Sequence, residues 1–405
     1  MSTTTTTEAP STPVAAGVAG AAPAGAQPIA AVPYLDLGRG RRRIAAPLAE
    51  RWQRVLEESS YVLGPEVRVF ERDYAAFLGV ESCVGVANGT DALLLCLRAL
   101  GVGGGDEVIV PAFSFFATVE AVILAGGVPV FADVDAATLN LDPADAAARV
   151  TARTVGVLGV HLYGRPFDVD GVQRICDQHG LWMVEDAAQA HGAHFGGRRV
   201  GGCGRLGAWS FYPTKNLGCY GDGGAVTGND RELMDRVRRL ANHGQASRYH
   251  HVEVGVNSRL DSLQAAVLNC RLPLLDADNA RRRDLAGRYA DGLAGAGDLA
   301  LPPDLPGSVP VYHQLTVRTN HRDALMRSLT AQGVGSSIHY PSPLHLQPAL
   351  RGAGAVAIPG LAGPGDLPVA EAAAGQVLCL PMFPELADPE VDAVCAAVRQ
   401  FFQSV

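Results

Sequence analysis

Three short segments hold residues suited to one kind of chemistry. The first is Ala208-Trp209-Ser210-Phe211-Tyr212-Pro213-Thr214-Lys215-Asn216-Leu217-Gly218, which sets a lysine among apolar, aromatic and glycine residues. Apolar walls disfavour an ammonium and move Lys215 toward the neutral amine that Schiff-base chemistry needs. Taken alone, a surface lysine is the plainer reading. The second is Met183-Val184-Glu185-Asp186-Ala187-Ala188-Gln189-Ala190-His191, an apolar run that ends on two carboxylates. A carboxylate at a strand end can meet a ligand cation, or it can cap a following helix. The third is Asn88-Gly89-Thr90-Asp91, between an apolar run and a helical pattern. Free N–H groups and the positive end of a helix make such a turn a phosphate site. A plain N-cap at Thr90 or Asp91 explains the same residues. The segment is neither a GKS/GKT phosphate loop nor a GxGxxG turn.

Together the three segments supply what pyridoxal 5'-phosphate requires. Its phosphate needs N–H and hydroxyl donors, its pyridine nitrogen a carboxylate, its aldehyde a lysine, and its ring an apolar or aromatic cover.

Alternating elements must position these groups. Cys83–Ala87 reads as a strand, followed by a helix over Ala92–Leu100. Further strands are expected at Glu107–Val110, Val128–Ala132, Thr154–Val160, Leu181–Val184, Ala208–Tyr212 and Gly224–Thr227, with helices near Phe116–Ala125 and Val169–His179. Strands alternating with helices imply right-handed βαβ units and a mostly parallel sheet with ligands at the strands' carboxyl ends. The candidate residues lie just after strands. From about Leu272 the pattern changes to a long helix up to Leu293, a Pro-rich stretch, a strand over Val311–Val317 and helices near Arg322–Gln332 and Asp388–Phe402. The expected organisation is a tail over residues 1–30, a large cofactor-binding domain over 31–271 and a smaller α+β domain over 272–405, with a Gly/Pro/Ala-rich mobile loop from Arg351 to Pro368.

The segments AFSFFATVEAV, EDAAQAHGA, GAWSFYPTKNLG, GDGGAVTGND and NSRLDSLQAAVL resemble the DegT-type sugar aminotransferases, from about Tyr34 to the C-terminus. The resemblance implies an α/β enzyme of fold-type I, dependent on pyridoxal phosphate, that aminates nucleotide-linked keto sugars. It implies that Lys215 forms the Schiff base, Asp186 pairs with the pyridine nitrogen and Gln189 contacts the ring hydroxyl. Phe115 would stack on the ring, and Gly89, Thr90 and Ser210 would hold the phosphate. Asn257 would reach the phosphate in a neighbouring subunit, which makes the expected assembly a homodimer with shared sites. L-glutamate is the implied amino donor. The His161–Pro166, Asn242–Gly244, His250-His251 and Ile338–His345 segments look most like members that aminate C-3 of dTDP-3-keto-6-deoxyhexoses for natural-product or cell-surface sugars. C-4 amination and cyclitol amination remain open, as does substrate contact against simple packing for His339 and Tyr340. Some relatives replace the lysine by histidine and dehydrate; this chain keeps Lys215. A catalytically silent regulator would be expected to have lost Lys215 or Asp186.

Composition narrows the alternatives. Of 405 residues, 48% are hydrophobic and 18% charged, with a net charge of −8. An acidic chain lacks the basic surface that nonspecific nucleic-acid binding requires. Eight scattered cysteines without a CxxC pair read as free thiols of a reducing, cytoplasmic setting, and no metal-ligand spacing is present. No apolar stretch is long enough for a membrane span. Residues 1–30, rich in Thr, Ala, Pro and Gly and free of Lys and Arg, read as a disordered tail. The Arg39-Gly40-Arg41-Arg42-Arg43 run reads as the solvated start of a helix, with anion binding as the alternative.

Overall fold

The computed structural model describes residues 31–351 and 358–405. The expected tail and part of the expected 351–368 loop lie outside the described residues. Seven strands form the central sheet: β1 (Ser82–Val86), β2 (Glu107–Pro111), β3 (Val128–Ala132), β4 (Thr154–Val160), β5 (Trp182–Asp186), β6 (Leu206–Ser210) and β7 (Gly224–Gly228). Their spatial order is β1-β7-β6-β5-β4-β2-β3. The β3–β2, β2–β4, β4–β5 and β5–β6 pairs are parallel, whereas β7 runs antiparallel to β6 and β1. The chain is thus an α/β protein with a mostly parallel sheet.

Helices α1 (Leu37–Arg43), α2 (Ala45–Glu57) and α3 (Pro65–Leu78) precede the sheet. Helices α4 (Gly89–Ala99), α5 (Ala117–Ala125), α6 (Pro143–Ala148), α7 (Val169–His179) and α8 (Arg231–Ala241) are interleaved with it, and α9 (Ser262–Arg271) follows. Side chains alternate across each strand, so the sheet feeds two cores. Val84, Leu158, Val184 and Ala208 pack with α4, α5 and α8 on one face. Cys83, Val157, Met183 and Trp209 pack with α3, α7 and α9 on the other. Burial on both faces explains the near-continuous apolar strands.

A third core joins α10 (Leu275–Leu293), β8 (Leu315–Arg318), α11 (Arg322–Ala331), β9 (Val377–Leu380) and α13 (Asp388–Gln403), with β8 and β9 antiparallel. Between α11 and β9's core, α12 (Pro368–Gln376) returns to the first core through Ala370 and Ala373.

Two expected strands have bounds that differ from their sequence pattern. The Val311–Val317 strand begins only at Leu315. Val311 N–H donates to the Gly164 carbonyl (2.8 Å) and Gln314 N–H to the Tyr163 carbonyl (3.3 Å), which takes 311–314 out of the ladder. The Ala208–Tyr212 strand lies two residues earlier, at Leu206–Ser210, and Tyr212 is exposed.

The arginine run forms the body of α1, with the Arg41, Arg42 and Arg43 side chains exposed. Asp36 caps it by accepting from the Gly38 and Arg39 N–H groups. Arg39 pairs with Glu390 at 2.7 Å, and Arg43 with Asp278 at 2.7 Å and Glu385 at 3.0 Å, tying α1 to the third core. All eight cysteines are free thiols, six of them buried. Among the described residues no cluster of three or more His, Cys, Asp or Glu could hold a metal, and no helix is long and apolar enough to cross a membrane.

Candidate active site

The site gathers at the carboxyl ends of β5 and β6 and the N-terminus of α4. Asp186 closes β5 and pairs in register with Val160 of β4 and Ala208 of β6. Alternation turns Asp186 to the α4 face, with Val184 of the first core, and puts Ser210 on the face of Ala208. Asn88, and not Thr90 or Asp91, caps α4: its side-chain oxygen accepts the Asp91 N–H at 2.8 Å. That leaves the Gly89 and Thr90 N–H groups at the helix start. A Cβ on Gly89 would lie 2.6 Å from the Ser210 Cβ, and one on Gly224 would lie 2.4 Å from the Asn88 carbonyl oxygen. Glycine at both positions is what lets the β6–β7 end press against the α4 start. Gly89, Thr90 and Ser210 therefore share one corner.

Asp186 is buried, and it is not a helix cap. Its Oδ1 accepts the Ala188 N–H at 3.1 Å in a turn, and its Oδ2 accepts the Thr118 hydroxyl at 3.3 Å. Burial pushes its pKa up, with Ala188, Lys215 and Thr118 working in the opposite direction. The carboxyl is short of positive charge, as a group reserved for a cation would be. Lys215 follows β6 in a turn closed by its N–H on the Tyr212 carbonyl at 2.9 Å. Its side chain is half-buried. Burial lowers its pKa to about 8, while Asp186 pulls it back up.

Three imidazoles sense that lysine. His191 is lowered to about 3, His339 to about 4, and His313 well below its ordinary value, in each case by burial first and Lys215 second. Both ring nitrogens of His191 and the Nδ1 atoms of His313 and His339 lack hydrogen-bond partners, as does Oδ1 of Asn216.

Gln189 is spoken for on both sides. Its Oε1 accepts the Tyr163 N–H at 2.5 Å and its Nε2 donates to the Tyr340 hydroxyl at 3.2 Å, which leaves one amide hydrogen for a ligand. Tyr163 holds left-handed backbone geometry (φ 62°) and its hydroxyl donates to the His339 carbonyl. His339 stacks on Tyr34 at 6.1 Å between centroids. Phe115 is 55% exposed, with its ring 5.9 Å from that of Tyr340. His339, Tyr340, Gln189 and Phe115 thus form one linked wall. Asn257 is not part of it. It is exposed, at an isolated bridge with Asn242.

Thr118, Tyr163, His191 and His313 escaped the sequence reading as site residues. Thr118, in the first turn of α5, meets the Ser114 hydroxyl at 3.0 Å, a contact that local pattern does not signal. His313 left no signal either. The strongest signal was a count. Lys215 is the only lysine of the chain; the other 32 of its 33 basic residues are arginine.

A mostly parallel α/β sheet that holds one deprotonatable lysine near a buried carboxyl, with free helix N–H groups at Gly89 and Thr90, is suited to amine–carbonyl exchange. The chain belongs to the DegT/DnrJ/EryC1/StrS aminotransferase family, whose sequence profile matches residues 43–399. It is similar to the dTDP-3-amino-3,4,6-trideoxy-alpha-D-glucose transaminase of Streptomyces venezuelae, with 46% identity over 92% of this chain and 97% of that protein. The UDP-2-acetamido-2-deoxy-3-oxo-D-glucuronate aminotransferase of Pseudomonas aeruginosa is 43% identical over 91% of this chain and 99% of its own length. In three dimensions the chain resembles the crystal structure of S. venezuelae DesV in complex with a ketimine intermediate. The TM-score is 0.89, covering 93% of this chain and 99% of that one at 46% identity.

Proposed function

We propose that this aminotransferase uses pyridoxal 5'-phosphate to move an amino group from L-glutamate to the C-3 ketone of a dTDP-linked 3-keto-6-deoxyhexose. The observation that carries the proposal is the sole lysine of the chain, held near pKa 8 beside the buried Asp186. The residues present fit the cofactor. Gly89, Thr90 and Ser210 would take its phosphate, Asp186 its ring nitrogen, Gln189 its ring hydroxyl, Phe115 its ring face and Lys215 its aldehyde. The corner that a Gly89 side chain would fill, and the buried nitrogens without partners around Lys215, are the features such a ligand would use. When bound, the cofactor supplies an aldehyde for the amino group and a ring that accepts the electron pair left by C–H cleavage. The chain does the rest. Lys215 Nζ takes the proton from the donor's α-carbon and delivers one to the sugar carbon in the second half-reaction. Asp186 keeps the ring nitrogen protonated.

Both relatives named above act at position 3 while carrying different nucleotides. Position 3 is therefore favoured over C-4 or a cyclitol, and dTDP rests on the likeness to the S. venezuelae protein. The test is product analysis with 3-keto and 4-keto sugars carried on dTDP and on UDP. Selective amination of the dTDP-3-keto sugar supports the reading; turnover of the 4-keto sugar alone overturns it.

We further propose a homodimer with shared sites. The support is the exposed apolar stretch beside Asn257, where Tyr249 is 78% and Val254 91% exposed. Mixing inactive Lys215→Ala chains with impaired Asn257→Ala chains tests this. If Asn257 serves the partner's site, each heterodimer regains one intact site and about half the activity. If it serves its own site, nothing returns.

A further inference from the structure

Glu185 is the second carboxylate of the pair that ends β5, and the reaction as proposed gives it no task. Alternation sends it to the sheet face opposite Asp186, with Met183 and Trp209 of the second core. It is fully buried. A charge there is costly unless every lone pair is met, and its lone pairs are met. Oε1 accepts the Cys203 and Gly204 N–H groups, both at 2.7 Å. Oε2 accepts the Gly201 N–H at 2.7 Å and meets His161 Nε2 at 3.0 Å. His161 Nδ1 faces the Phe167 N–H at 3.4 Å and so carries a lone pair, which fixes the proton on Nε2 and makes it the donor to Glu185.

The groups that Glu185 grips belong to both ends of the candidate site. His161 follows β4, and its own N–H donates to the Asp186 carbonyl at 3.1 Å. Gly201–Gly204 lead directly into β6, which ends in Ser210. Gly201 is locked in turn. Its carbonyl accepts the Thr227 hydroxyl at 2.7 Å, that same hydroxyl accepts the Trp209 indole N–H at 2.8 Å, and a Cβ on Gly201 would lie 2.0 Å from the Trp209 ring. One carboxylate thus ties the backbone beside Asp186 to the loop and strand that present Ser210.

We infer that Glu185 is a positioning residue that sets the separation between the ring-nitrogen carboxylate, Asp186, and the phosphate corner at Ser210 and Gly89. The inference rests on the cofactor assignment proposed above. Its consequence is specific. A truss that spaces two anchors matters to a ligand that spans both, and much less to one that uses a single anchor.

Glutamine cannot substitute for this glutamate. An amide has one acceptor oxygen, so in either orientation its NH2 would face two donors. The test compares two ligands on apoprotein freed of cofactor: pyridoxal phosphate, which reaches both anchors, and pyridoxal, which has no phosphate. Dissociation constants are read from the absorbance of the Schiff base, and folding from the thermal transition of each apoprotein. For Glu185→Gln the preference for pyridoxal phosphate over pyridoxal is expected to fall at least tenfold from the wild-type ratio. Simple loss of stability would weaken both ligands alike and leave the ratio unchanged, which would overturn the inference. His161→Phe keeps the stacking on Phe167 and the three N–H partners of Glu185 while removing one donor. It decides the question if Glu185→Gln does not fold, with an expected fall of about threefold and an unchanged ratio as the contrary result. A wild-type chain that binds neither ligand would bring down the cofactor assignment itself, and this inference with it.

Discussion

Glu185 and Asp186 are adjacent carboxylates, both buried, and the protein treats them in opposite ways. Glu185 is surrounded by four donors. Burial works to raise its pKa, but the His161 hydrogen bond and the Gly204 and Gly201 N–H groups outweigh it, and the net shift is downward. Asp186 has two weaker partners, and burial prevails, so its pKa rises. The first pattern is that of a scaffold, complete without a ligand. The second is that of a site, left electrostatically short until something binds. The unpartnered nitrogens of His191, His313 and His339 near Lys215 extend the second pattern.

The strongest way to break this comparison is to remove the nucleophile. Lys215→Ala is expected to lose at least about 10⁴-fold in turnover, the upper range for a positioned acid–base group, while its thermal transition stays close to wild type. Substantial residual turnover, measured in a steady-state assay, would deny Lys215 its role. Next is Asp186→Asn, which keeps the size and removes the charge. It should raise the barrier by about 3–4 kcal/mol, the scale of losing one key electrostatic stabiliser. If the residue only held its turn through Ala188, kcat would barely change.

A smaller effect is expected at the phosphate corner. The Cβ of Gly89→Ala would meet Ser210 at 2.6 Å, and overpacking of this kind costs about 1–3 kcal/mol. Equilibrium dialysis should register it as weaker cofactor retention, with little change in kcat at saturating cofactor. The subtlest prediction concerns pH. Lysine reacts with an aldehyde as the neutral amine, so the rate of cofactor capture by apoprotein should climb as pH rises toward about 8 and level off above it. An ordinary lysine would keep gaining up to about 10.4. Because no other lysine exists, the N-terminal amine is the one competing amine; after subtraction of the Lys215→Ala apoprotein trace, stopped-flow absorbance reads Lys215, and a continued climb past pH 9 would contradict the lowered pKa.

Much of this was legible before any coordinates. The seven apolar runs and the strand-end placement of Asp186 follow from patterning alone, because a strand buried on both faces must be apolar throughout; Ser210 falls mid-strand in the sequence pattern and ends β6 in the structure. Asn88 was passed over as the cap of α4 in favour of Thr90 and Asp91, although all three residue types cap well; only backbone geometry decides among them. Residues 311–314 carry strand-like composition, yet their hydrogen bonds go to the 163–164 turn, a long-range choice that local pattern does not encode. The division of labour within Glu185-Asp186 was equally hidden. Period two says the pair must face opposite sides, but not that three N–H groups some 16–19 residues further on converge on Glu185.

The central claim is that Lys215 carries the carbonyl chemistry of this enzyme. Reducing the cofactor-loaded protein with borohydride and mapping the modified peptide by mass spectrometry tests it directly. The account predicts one pyridoxyl group per chain, on Lys215. A label on the N-terminal amine, or no covalent label on a protein that turns over, would contradict it.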